Sequence, residues 1–121
     1  MQNSSNSKSV LKDRSYQFAL ETIRFIRTLD QEDFGIQIIS KQLFRCATSI
    51  GANVTEAQSG STKKDFANFF NYALKSANET RYWLTLLKDL GENSKINKLI
   101  EENKEISNML AASIITLKAR A

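Results

Sequence analysis

The sequence predicts an all-α protein, an antiparallel up-down-up-down four-helix bundle. Three observations carry that prediction. The 121-residue chain has no proline and only four glycines, so little in its composition interrupts long helices. Apolar residues recur at steps of three and four over four segments, and no segment alternates as a strand would. Gly35, Gly60 and Gly91 fall between or at the edges of those segments, and connections so short force successive helices antiparallel.

The first helix is expected from Ser9 to Leu29. One apolar row holds Tyr16, Ala19, Ile23 and Ile26, and a second holds Phe18, Phe25 and Leu29. "DQEDFG" breaks the pattern, and its acids suit the positive end of the next helix. The second helix is expected from Phe34 to Gln58, with a stripe of Ile36, Ile39, Leu43, Ala47, Ile50, Val54 and Ala57. Gly60 is placed to cap it.

Thr62 and Asp65 have capping-box spacing at the start of the third helix. Phe66, Phe70, Ala73, Ala77, Leu84 and Leu87 form its main row, and Phe69, Tyr72, Ser76, Trp83 and Leu90 a second. Gly91 is the expected C-cap, and Asn93 or Ser94 starts the fourth helix, with Ile96, Leu99, Ile106, Leu110, Ile114 and Leu117 facing inward.

A chain of this length makes one domain. Residues 1–8 are polar, lack the apolar run of a secretory signal and read as a disordered tail, leaving 9–121 as the bundle. No apolar run is long enough to span a membrane. The single cysteine, Cys46, rules out an intrachain disulfide, fits a reducing cytoplasm and lies where a small buried hydrophobe would.

Histidine is absent. That removes the commonest general base, triad chemistry and the Glu-x-x-His pattern of carboxylate-bridged metal bundles. No cofactor, metal site or catalytic residue is expected.

A polar row, Ser49, Asn53 and Glu56, runs beside the apolar stripe of the second helix, with Arg45 just before it. Gly51 interrupts the interior, at about 1 kcal/mol relative to alanine, so close approach by another group is expected there. A ring from "ETRYWL" in the third helix is the candidate. If Asn53 and Glu56 are partly buried, the carboxylate needs a partner, for which Arg45, Arg81 and Lys75 are available. The row reads as an inter-helix network that sets register, as a ligand or partner site, or as a catalytic site with Glu79 as second carboxylate. Two apolar rows on the first and third helices serve either two neighbours within the bundle or a subunit interface using Phe18, Phe25, Tyr72, Tyr82 or Trp83.

"SIGANVTEA", Ser49 to Ala57, followed by "STKKDFANFFNYALKSANETRYWLTLL", Ser61 to Leu87, resembles the four-helix-bundle proteins encoded in intervening sequences of bacterial 23S rRNA genes. That family includes accessory proteins of diversity-generating retroelements. The likeness runs from about Tyr16 to Leu117 and is densest at Ser49, Ile50, Ala52, Asn53 and Glu56, then at Asp65, Phe66, Ala73, Glu79 and Trp83. Many members have glycine where this chain has Ala57. The resemblance implies a homopentameric barrel without enzymatic activity. Its retroelement members are thought to bind nucleic acid and a reverse transcriptase.

Two functions follow as expectations. The net charge of +4 and pI near 9.3, multiplied over several subunits, favour an oligomer that binds RNA or DNA. Lys41, Arg45, Lys63, Lys64, Lys75 and Arg81 are the candidate contacts, Lys63 and Lys64 standing at a helix N-terminus where an anion would relieve them. The alternative is a scaffold whose client is another protein.

Overall fold

The computed structural model describes residues 4–59, 62–92 and 95–119. It is a bundle of four helices, α1 Ser4–Ile26, α2 Phe34–Ser59, α3 Lys63–Asp89 and α4 Lys95–Ala119. Each packs on its neighbour in sequence, and α4 closes the ring against α1. Contacts of Gly51 with Ser15 and of Gln31 with Ser40 run α1 and α2 antiparallel. Arg45 with Glu79 and Ser49 with Ser76 do the same for α2 and α3.

Helix α1 begins at Ser4, inside the segment expected as a tail; residues 1–3 lie outside the described residues. Its α-helical hydrogen bonding stops short of Leu29, because Thr28 and Leu29 donate three residues back, to Phe25 and Ile26 at 2.9 and 3.0 Å. The Thr28 hydroxyl, 2.6 Å from the Phe25 carbonyl, reinforces that tight turn. Asp33 then caps α2, its carboxylate accepting from the Ile36 amide at 3.0 Å. Thr62 caps α3 by accepting from the Asp65 amide at 3.0 Å.

Helix α3 ends in a Schellman turn. Glu92 N–H bonds to Leu87 O and Gly91 N–H to Lys88 O, with Gly91 at φ 92°, the left-handed region that glycine enters without strain. The expected caps Gly60, Asn93 and Ser94 lie outside the described residues.

Every member of the predicted α2 stripe is buried, as are Phe70, Ala73, Ala77, Leu84 and Leu87 of α3. Helix α1 differs. Its core face is Leu11, Ser15, Phe18, Thr22 and Phe25, continued by Leu29 in the turn beyond, a regular three-four spacing that includes two hydroxyl residues. Ser15 and Thr22 are fully buried because each donates to a carbonyl of its own helix, Lys12 and Phe18. Tyr16, expected inside, points to solvent. Phe18 and Phe25, candidates for a subunit interface, belong to the core instead.

Helix α4 likewise buries a polar residue, Asn103, between Leu99 and Ile106. Its Nδ2 donates to the Ala77 carbonyl across the α3–α4 interface at 3.0 Å, and its Oδ1 has no hydrogen-bond partner among the described residues. Arg14 ties α1 to α4 by a two-pronged pair with Glu102, Nε and Nη2 at 2.9 and 2.6 Å. Among the described residues no helix is long and apolar enough to cross a membrane.

Candidate functional site

The polar row of α2 meets a matching row of α3. Ser76 Oγ donates to Ser49 Oγ at 3.0 Å, and Asn53 Nδ2 donates to the Ser49 hydroxyl and carbonyl at 3.0 and 2.9 Å. One turn further along, the Thr80 hydroxyl lies 3.2 Å from Cys46 Sγ. Small side chains leave room for these polar groups to pair across and within the seam.

Burial pushes the Cys46 thiol pKa up, and the Thr80 hydroxyl only partly opposes it. The thiol stays protonated at neutral pH, as expected of a small buried hydrophobe.

The outer edge of the seam is ionic. Arg45 Nη2 pairs with Glu79 Oε2, which also accepts from Trp83 Nε1 at 3.0 Å. Gln42 Oε1 braces the same guanidinium at 3.3 and 3.0 Å. Arg45 thus serves Glu79, not Glu56.

Glu56 is exposed and makes no hydrogen bond or ion pair among the described residues, which corrects its expected place in the seam. No buried carboxylate needs neutralising there. Nor do the two carboxylates meet. Glu79 stands beside Arg45, and the eleven positions from Arg45 to Glu56 span on the order of 15 Å of helix. Paired acid–base work needs less than about 10 Å.

Gly51 is a point of close approach, but the neighbour is α1 and not a ring of α3. A Cβ there would lie 3.4 Å from the Ser15 carbonyl oxygen.

The candidate cations Lys41, Arg45, Lys63, Lys64, Lys75 and Arg81 are all exposed. Among the described residues, ion pairs engage Arg14, Arg24 and, of the candidates, Arg45 alone. Lys63 and Lys64 occupy the first turn of α3, where Asp65 also sits. No group of three or more metal-ligating side chains occurs among the described residues.

Beside Lys41 and Arg45 a shallow hollow of about 250 Å³ opens between the end of α1 and α2, lined also by Ile26, Gln31, Ser40 and Phe44. Phe44 is 47% exposed at its edge. Helical spacing alone did not single out Phe44, Gln31 or Ser40. For Phe44 the signal was an aromatic between two cations, in "SKQLFR"; Gln31 lies outside that stretch and had none.

A family model described as 23S rRNA-intervening sequence protein matches residues 7–112. The chain belongs to that family. A crystal structure from Bacteroides thetaiotaomicron, described as a protein of unknown function from the S23 ribosomal protein family, is 37% identical over 89% of this chain and 97% of its own, with a TM-score of 0.81. No curated protein matches.

The stretch that resembles the intervening-sequence family divides by environment in this member. Ile50 is buried and Ser49 and Asn53 join the seam, whereas Ala52 and Glu56 face solvent.

Proposed function

We propose that this protein is a non-enzymatic, cytoplasmic nucleic-acid-binding protein that acts as a homo-oligomer, a homopentamer by its resemblance. RNA or DNA lies along its cationic surface. The observation that carries this reading is the state of the candidate cations: Lys41, Lys63, Lys64, Lys75 and Arg81 are exposed and meet no carboxylate within ion-pair distance among the described residues. Side chains so placed are available to phosphates, and repetition around an assembly multiplies a modest charge into a strong local field.

Oligomerisation draws support from the outer surface. Phe34, Tyr72, Tyr82 and Leu90 are each more than half exposed, which leaves a single chain with more apolar surface than its core requires. Ala52 and Glu56 are likewise left unused by the bundle.

The test is fluorescence anisotropy of a labelled structured RNA over a salt series, with light scattering for the mass. Binding that weakens steeply with salt, at a mass several times that of one chain, is the expected result. Absence of binding at low salt would overturn it.

A second reading is a protein-interaction scaffold, an accessory to a nucleic-acid enzyme such as a reverse transcriptase, with the exposed aromatics as its docking surface. Lys63→Glu with Lys64→Glu separates the two, since it abolishes RNA binding but leaves a protein client attached.

A further inference from the structure

The outward side of α2 combines features that a generic phosphate-binding surface does not need. From Phe34 to Thr55 the helix carries no carboxylate, while Lys41, Phe44 and Arg45 stand together at its solvent side. The acids Asp30 and Asp33 in the preceding turn direct their carboxylates onto backbone amides of Glu32 and Ile36 at 3.0 Å. Arg45 is held by Glu79 and Gln42, so its guanidinium is fixed in place before any ligand arrives.

The hollow that Phe44 borders, about 250 Å³, is smaller than the roughly 300–1,000 Å³ of sites for drug-sized molecules. It has room for one planar ring system. Ile26 and Phe44 give it apolar walls. Gln31 Nε2 donates to Ser40 Oγ at 3.1 Å and to the Ile26 carbonyl at 3.2 Å, leaving Gln31 Oε1 to accept from a ligand edge.

We infer that Phe44 is a stacking platform for an unpaired base of single-stranded nucleic acid, with Lys41 and Arg45 on the flanking phosphates and Gln31 at the base edge. The inference rests on the nucleic-acid reading above and deepens it. An exposed aromatic between cations suits single strands, whose bases are free to leave the stack. A duplex offers this site only its backbone.

The experiment titrates labelled single-stranded RNA and a duplex of equal length with the full chain, its Phe44→Ala and Phe44→Trp variants, and Lys41→Glu. Light scattering and thermal melts run alongside. The wild-type protein is expected to prefer the single strand. Phe44→Ala should weaken that binding roughly 5- to 150-fold, which corresponds to loss of one stacked base. It should leave duplex binding and assembly mass unchanged, and Phe44→Trp should restore the single-strand affinity. Lys41→Glu should weaken both.

Equal single-strand affinity for wild type and Phe44→Ala overturns the stacking site while leaving the nucleic-acid reading standing. A Phe44→Ala protein of altered mass places the ring in a subunit interface and also overturns it. No binding of either RNA by the wild-type protein removes both.

Discussion

Gly51 of α2 lies directly over the backbone of Ser15 of α1, close enough that an added Cβ would stand 3.4 Å from the Ser15 carbonyl oxygen and 3.5 Å from its hydroxyl. A methyl at that distance is in ordinary contact, whereas a branched side chain has to displace a helix backbone. Gly51→Ala should therefore hold or raise the melting temperature, since alanine recovers about 1 kcal/mol of helix propensity. Gly51→Leu should destabilise by about 1–3 kcal/mol. Equal melting temperatures for the two variants would show that α1 is not in the way.

Glu79 and Glu56 lie on facing helices, but only the first is part of a network. Glu79→Ala removes the partner of Arg45 and the acceptor of Trp83 Nε1. The pair is half-exposed, so the loss should be about 1 kcal/mol. Trp83 emission should shift at the same time. Glu56→Ala should change neither the melting temperature nor the emission spectrum. Comparable destabilisation by both would place Glu56 back in the seam.

Asn103 is 1% exposed with an unmatched carbonyl oxygen. Replacement by leucine, which keeps the branched skeleton but carries bulkier methyls, removes that unmet acceptor together with one hydrogen bond to Ala77, for a net gain of at most about 1 kcal/mol once the extra volume is accommodated. Asn103→Ala should lose stability instead, because it leaves a cavity between α3 and α4. Chemical denaturation of the two variants checks the sign. A destabilised Asn103→Leu would mean either that a buried water completes the amide in solution or that the bulkier methyls overpack the site.

Cys46 makes stability pH-dependent in a definite direction. Its folded pKa is raised by burial, so the unfolded chain releases the thiol proton first as pH climbs. Below about 8.5, the ordinary thiol value, both states keep the proton and this group contributes no slope. Above it the unfolded state binds fewer protons and stability falls. Between about pH 8 and 10 the melting temperature of the wild-type protein should drop more steeply than that of Cys46→Ala. Parallel slopes would mean that the thiol is accessible to solvent.

The α2 stripe and the α3 row were legible because burial on one face leaves a three-four spacing of large apolar residues. The same spacing is present in α1 but carries Ser15 and Thr22, whose hydroxyls bond to their own helix and so enter the core without a partner elsewhere. Counting apolar residues gave two rows, one with Tyr16 and one with Phe18, Phe25 and Leu29, and did not show that the second, completed by Ser15 and Thr22, is the buried one. Asn103 was hidden for a related reason, since its partner is a backbone carbonyl of another helix.

By itself the sequence determined the all-α class, the helices to within a turn or so at their ends, the Thr62 and Gly91 caps and most of the core, because these depend on neighbours three or four residues away. Which charges meet between helices was decided by tertiary structure alone. Arg45 is eleven positions from Glu56 in sequence and thirty-four from Glu79, yet it pairs with Glu79 because the register of α2 against α3 places it there. The same holds for the contact of Gly51 with α1 and for the hollow beside Phe44. Register follows from how whole helix surfaces interlock, a sum over many side chains that no local spacing contains.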